Sequence, residues 1–283
     1  MMKNAQNSTS PARSHTHTDS RPDISPGITK GVLAIVRRHG LVWWAHVLPA
    51  LTSNIASPLL YLFALGFGLG AVVKSVGDVP YLVFVLPGVA ANSSFFSASF
   101  EGAINSFSRM SRERVYAGIL STPVRLIEIL LADALFAAAK GTLSGASVLL
   151  VGFMVGGVQA PLMILPAILL IFIGCFFFAC IGLFLMSFAK TNEFFSYFFT
   201  FWVAPSFLFC GVFFEVTRFP EWVQHIAWAL PMTHFIHTVR PLMLPGMTIA
   251  PGEAAWYISY VILFGGVCLF LAHKRLKKRL LDQ

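Results

Sequence analysis

Stretches without Asp, Glu, Lys or Arg run over 39–73, 79–100, 141–189, 194–214, 222–239 and 254–273. A bilayer core takes about 20 mostly apolar residues in a helix. The 141–189 window is too long for one span, and Gly156-Gly157-Val158-Gln159-Ala160-Pro161 marks a tight turn inside it. The pattern predicts six helical spans near 49–72, 81–107, 132–156, 161–188, 194–214 and 253–272. The 222–239 window holds Gln224, His225, Thr233, His234, His237 and Thr238 around Pro231, which is too polar for a lipid-facing span. The segment 215–252 is therefore expected to form two short external or re-entrant helices, broken at Pro231 and Pro241.

Two other segments precede the first span. Residues 1–29 are rich in Ser, Thr, His, Pro, Asp and Asn, and a tail that cannot bury a core is expected to be disordered. It lacks the apolar stretch of a signal peptide. From Lys30, apolar Val32, Leu33, Ile35, Val36, Leu41 and Val42 interleave with Arg37, Arg38 and His39, and Trp43-Trp44 follow. That pattern predicts an amphipathic helix on a membrane surface, with tryptophan at headgroup level; a simple extension of the first span is the alternative. One membrane domain, 30–281, follows the tail.

Composition turns this pattern into a class. The chain of 283 residues is 57% hydrophobic and 11% charged, against about 45–50% and 25% in soluble proteins. A soluble globular domain and a mostly disordered chain are both excluded. The net charge of +8 is a matter of topology. With six spans, thirteen Lys and Arg between Lys30 and Arg279 fall on the side of the termini, against Lys74, Arg218 and Arg240 on the other. Basic loops stay cytosolic, so both termini are expected there, and no nucleic acid is needed to explain the charge.

Four cysteines, Cys175, Cys180, Cys210 and Cys268, lie in predicted spans without metal spacing and read as buried thiols. No G-x-x-x-x-G-K-S/T phosphate loop, G-x-S-x-G elbow or H-E-x-x-H metal motif occurs. No catalytic or metal site is assigned to the chain. The pairs Gly66/Gly70, Gly141/Gly145 and Gly152/Gly156 read as small-residue helix contacts.

An ionised residue at mid-bilayer costs about 2.5–3.5 kcal/mol on insertion scales, so Glu101, Glu128, Asp133 and Lys140 need reasons. Asp133 and Lys140 share a helix face but sit roughly 10 Å apart along the axis, too far to bond. Glu101 is a candidate partner for Lys140. A substrate path or proton relay is one reading, and an ion pair holding the bundle is the other. His234, His237 and Arg240 recur on one helical face after His225. With no nearby acid or thiol, a polar face bonding its own neighbours is the simpler reading than a metal site.

Between the second and third spans lies Arg109-Met110-Ser111-Arg112-Glu113-Arg114-Val115-Tyr116-Ala117-Gly118-Ile119-Leu120-Ser121-Thr122-Pro123, leading into Glu128-Ile129-Leu130. Later come Phe219-Pro220-Glu221-Trp222, Leu230-Pro231-Met232-Thr233-His234 and Val239-Arg240-Pro241-Leu242-Met243. Together these strings resemble ABC-2 type export permeases. Ser57 to Gly70, Ala98-Ser99-Phe100-Glu101 and Ala137-Ala138-Ala139-Lys140 are similar to the nodulation protein J group, permeases for lipo-chitooligosaccharide export.

The resemblance covers about residues 30–275 and implies an all-α fold of six spans in a bacterial inner membrane, working as a homodimer with two copies of a separate ATP-binding subunit. That subunit would carry the ATP and Mg, with none held by this chain. Arg112, Glu113, Arg114, Tyr116, Leu120, Thr122 and Pro123 would then belong to the helix that docks onto the ATPase. Pro231, His234, His237 and Arg240 would belong to the external helices that close the exit. The aromatic load, 28 Phe among them, suits an amphiphilic cargo, a lipid-linked saccharide or drug-like molecule, and equally suits a lipid-facing surface. Two rivals are a stand-alone proton-coupled transporter or channel using Asp133 and Lys140, and a membrane transferase built on His225, His234 and His237.

Overall fold

The computed structural model of the chain describes residues 27–45, 47, 56, 59–60, 62–76, 78–244 and 246–281. All but three residues of the expected tail, 1–29, and much of the expected first span, 49–72, lie outside the described residues. The helices in chain order are α1 (Ile28–Ala45), α2 (Tyr81–Ser111), α3 (Val115–Leu120), α4 (Leu126–Met154), α5 (Pro161–Met186), α6 (Phe194–Phe209), α7 (Glu221–Ala229), α8 (Pro231–Met243) and α9 (Pro251–Leu281). A π-helical turn, Ala64–Leu69, runs into Gly70–Val72 ahead of a small antiparallel pair, β1 (Ser75–Val76) and β2 (Val79–Pro80). In that pair Ser75 faces Pro80 and Val76 faces Val79.

Among the described residues, α2, α4, α5 and α9 are long and apolar enough to cross a membrane. The expected span 194–214 is a shorter apolar helix, α6, that stops at Phe209. Gly211 adopts φ +81°, a left-handed turn that a helix cannot continue through. α9 runs past its expected end at 272 to Leu281. Its extra turns carry Arg275 and Arg279, whose guanidinium groups reach Ser187 O and Ala189 O, at 3.4 and 2.8 Å. Carbonyls just past the C-terminal end of α5 thereby gain cationic donors.

α2 is the most enclosed of the four, and α9 the most exposed. α2 packs along α4 and α5, α4 along α5, α9 along α5, and α1 lies against α4. The contact between α2 and α5 depends on glycine. A Cβ at Gly182 would sit 2.9 Å from Ala103 N, and one at Gly102 would sit 2.5 Å from Ala179 O. Gly141 and Gly145 of α4 likewise meet α2 at Ser94. The Gly152/Gly156 pair is a correction: Gly152 packs against Leu86, but a Cβ at Gly156 would face open space, and Gly156 sits at φ +76° just past the end of α4.

A second correction concerns Pro241. The expected break there does not occur, because Pro241 lies inside α8 and the helix ends at Met243. Pro241 has no N–H for the carbonyl of His237 and its ring crowds that group, yet the helix carries on for two more residues and Leu244 N closes onto Arg240 O at 3.1 Å. Pro231 does mark a break, standing at the first position of α8 after extended Leu230.

Candidate functional site: a charged file beneath a short surface helix

The site begins with a local irregularity. Within α2 the turn Glu101–Asn105 is π-helical. Eight residues of unbroken α-helix would turn Arg109 about 80° away from Glu101. One extra residue in the turn absorbs about 100° and returns the two to nearly one face. Arg109 Nη1 then donates to Glu101 Oε1 at 2.7 Å, and Asn105 Nδ2 to Glu101 Oε2 at 2.6 Å. From α4, Lys140 Nζ donates to the same Oε2 at 2.5 Å.

Arg109 also reaches the second acid, its Nη2 lying 3.3 Å from Asp133 Oδ1. Asp133, fully buried on α4, is approached from two further elements. His39 Nε2 of α1 lies 2.8 Å from Oδ1, and the Tyr116 hydroxyl of α3 donates to Oδ2 at 2.5 Å. The file Tyr116–Asp133–Arg109–Glu101–Lys140 thus joins α3, α4 and α2, with α1 attached through His39. Two carboxylates meet two permanent cations, so charge balances in an interior where an unpaired ion would be costly. Asp133 and Lys140 do not touch; each has its own partner.

α1 seats against α4 on Gly31, Val32, Ile35 and His39, while Leu33, Leu41, Val42 and Trp44 on its other faces are exposed. A Cβ at Gly31 would meet the Glu128 carboxylate, so a side chain there would have to displace it.

α3 begins after Arg114, held at φ 51°, a left-handed conformation that costs a non-glycine residue roughly 1–2 kcal/mol. That turn folds α3 back beside the end of α2. Arg112, Glu113, Arg114, Thr122 and Pro123 are exposed and Leu120 is half-buried. Tyr116 departs from its expected place on the docking surface: it is buried, 1% exposed, with its hydroxyl in the charged file. Burial and the adjacent Asp133 carboxylate push the Tyr116 hydroxyl well above its usual pKa.

The opposite end of the bundle holds the other expected residues. His234 Nε2 meets Trp228 O at 2.7 Å, and the rings of Trp228, His234, His237, Tyr257 and Tyr260 form one cluster joining α7, α8 and α9. Burial, with Arg240 and His234 nearby, lowers the His237 pKa to about 4. His225 is exposed on α7. Among the described residues no group of three or more His, Cys, Asp or Glu is placed to hold a metal. Arg240 Nη2 donates to Gly211 O at 2.6 Å and Val212 O at 3.1 Å, and its guanidinium carbon stands 4.2 Å from the centre of the Phe84 ring.

Three members of the file, Arg109, His39 and the Tyr116 hydroxyl, are not singled out as intramembrane partners by sequence reasoning. Arg109 counts there only as loop charge, and nothing in residues 101–105 marks the π turn that brings it inward.

A family model described as ABC-2 type transporter matches residues 30–244. Proteins named Nodulation protein J are similar along most of the chain. The one from Sinorhizobium fredii is 33% identical over 88% of this chain and 94% of its own. That from Rhizobium leguminosarum bv. trifolii is 34% identical over 90% and 96%, and that from Rhizobium meliloti 32% identical over 88% and 94%.

Proposed function

The chain belongs to the ABC-2 type transporter family, and from that premise we propose that it is the permease subunit of an exporter driven by a separate ATP-binding subunit. Two permease chains pair as a homodimer with two ATPase copies, in a bacterial inner membrane with both termini cytosolic. ATP and Mg bind on the ATPase. The cargo is amphiphilic, a lipid-linked saccharide or drug-like molecule, moved out of the cytosol.

The observation that carries this reading is the tie between Tyr116 and Asp133. The exposed residues of α3 and its flanks, Arg112, Glu113, Arg114, Thr122 and Pro123, offer charge and hydroxyls to a partner, while the buried face of the same short helix is hydrogen-bonded to a span. A partner that displaces α3 pulls on α4 through Asp133, on α2 through Arg109, and on α1 through His39. Interior packing transmits such displacement because it cannot compress. ATP-driven closure of the two ATPase copies then tilts the spans and opens a path between protomers.

The proton-coupled alternative draws no support from this geometry. The file ends at Lys140, near the middle of α4, and the buried positions beyond it on that helix are Gly141, Ser144, Gly145, Val148, Leu149 and Gly152.

The test is export by the purified complex in vesicles. The chain should bring down an ATPase, and export should stop on ATP depletion while a proton gradient is held. Exchanging the charges, Arg112→Glu with Glu113→Arg, should abolish export or ATPase association. Normal export in that double variant, or export driven by the gradient alone, would overturn the reading.

A further inference from the structure

The hairpin end contains two buried donors that the protein does not satisfy. Arg240 is 5% exposed. Its Nη2 is bonded to two backbone carbonyls, but its Nε is buried with no acceptor. Tyr81 is 1% exposed, and its hydroxyl is likewise buried without a partner. The two belong to one locality. Tyr81, Phe84 and Gly88 fall on one side of the first two turns of α2. The guanidinium stacks on Phe84, and Arg240 Nη2 is 3.0 Å from where a Cβ on Gly88 would lie.

The local electrostatics point the same way. Among the described residues Arg240 is in no ion pair; Glu215, the acid that acts on it, is partly exposed and 3.7 Å from Arg218. Burial lowers the Arg240 pKa only to about 10, so it is charged at neutral pH. Tyr81 is also the first residue of α2, a 31-residue helix whose N-terminal N–H groups and dipole favour negative charge. The guanidinium lies along the first two turns of that helix, at Phe84 and Gly88, with no counter-ion in contact among the described residues. Both unsatisfied groups are hydrogen-bond donors, so the missing complement is an acceptor.

We propose that Arg240 and Tyr81 form an anion-binding site at the N-terminal end of α2, taking an oxyanion of the phosphate class. The ligand's oxygens accept from Arg240 Nε and the Tyr81 hydroxyl. Val76, Val79, Val83 and Leu244 pack with Phe84 as the neighbouring apolar wall, so the ligand presents a charged group beside an apolar one. Phosphate of this kind comes from two sources, a phospholipid headgroup or free inorganic phosphate. The site rests on side-chain geometry alone and stands apart from the exporter reading.

The full chain is assembled into nanodiscs of phosphatidylcholine, with or without added phosphatidylglycerol, and into phosphatidylcholine discs titrated with inorganic phosphate. Thermal unfolding midpoint and lipid retention in native mass spectrometry are read. A midpoint raised by phosphatidylglycerol alone assigns the headgroup, and one raised by inorganic phosphate assigns the free anion. Tyr81→Phe is the decisive variant, because the hydroxyl it removes bonds to no protein atom. It should leave the midpoint without anion unchanged and weaken the anion's apparent affinity by roughly tenfold or more, as loss of a charge-assisted hydrogen bond does. Arg240→Lys should weaken it further while keeping one charge. An anion effect equal in Tyr81→Phe and the parent chain, or no effect of either anion on the parent, would overturn the proposal.

Discussion

At the α3 end of the bundle, Asp133, Arg109, Glu101 and Lys140 alternate in charge, and each of these four has a counter-ion within 3.3 Å. At the hairpin end, Arg240 is buried as deeply but is held by two carbonyls and a phenyl ring. The difference follows from what each end joins. The paired file is spread over four elements, so its bonds couple α1, α2, α3 and α4. Arg240 fastens α8 to the turn after α6 and to the first turns of α2, a contact that neutral carbonyls can supply. Buried ion pairs are weak evidence for net stability, yet removing one partner is severe, because the other charge is orphaned. The two ends should therefore respond very differently to loss of one charge.

The largest effect belongs to Asp133→Ala. It leaves Arg109 with one carboxylate instead of two and strips the acceptor from Tyr116 and His39 at once. A loss of about 3–5 kcal/mol is expected, read as a lowered unfolding midpoint in detergent and reduced yield of folded chain. Tyr116→Phe comes next. It keeps the ring and removes one hydrogen bond to a carboxylate, worth about 1.5–3 kcal/mol. Because the folded-state pKa of Tyr116 is raised, its contribution is fully present below the unfolded value near 10 and falls away as pH rises above it. Unfolding followed from pH 8 to 11 should therefore show a shallower alkaline loss in Tyr116→Phe than in the parent. Equal slopes would mean that the hydroxyl is not engaged with Asp133. On the proposed function the same variant should also lower export per ATP hydrolysed, while ATPase association persists.

The contrast between the ends also separates what was readable in the chain from what was not. Charge-free windows located α2, α4, α5 and α9 because a bilayer imposes its thickness on composition. Glu101 and Lys140 were legible as partners because two lone opposite charges in apolar helices have few other places to go. Arg109 was not, since its direction depends on the π turn at 101–105, and nothing in Glu-Gly-Ala-Ile-Asn spells out a π turn. His39 and Tyr116 were read as surface residues because their own segments are amphipathic or charged. What buries them is a carboxylate far away in sequence, on α4. Pro241 shows the opposite error, a strong local signal overridden where the neighbouring Arg240 ties α8 to Gly211, Val212 and Phe84.

Arg240→Met tests the unpaired end. It removes two bonds to carbonyls but also the burden of a buried charge, so the cost without added anion should be about 1–2 kcal/mol, well below that of Asp133→Ala. A loss as large as the Asp133 variant's would mean that Arg240 has a charged partner after all and that the two ends are alike.

The smallest effect comes from His237. Its ring packs on Trp228, with centroids 4.7 Å apart, and nearby Arg240 opposes a second positive charge. Its folded pKa of about 4 lies below the usual histidine value of 6.5. The unfolded chain therefore binds a proton that the folded chain refuses between those two values, so stability falls as pH drops from 6.5 to 4 and is level above. His237→Gln, which cannot take up the proton, should flatten that acid limb and leave the midpoint at pH 7.5 close to the parent's. Adding Arg240→Met to the parent His237 should flatten it too, by removing the repelling charge. If Arg240→Met left the acid limb untouched, burial alone would be setting the histidine's pKa, and the unpaired guanidinium would exert no field on its neighbours.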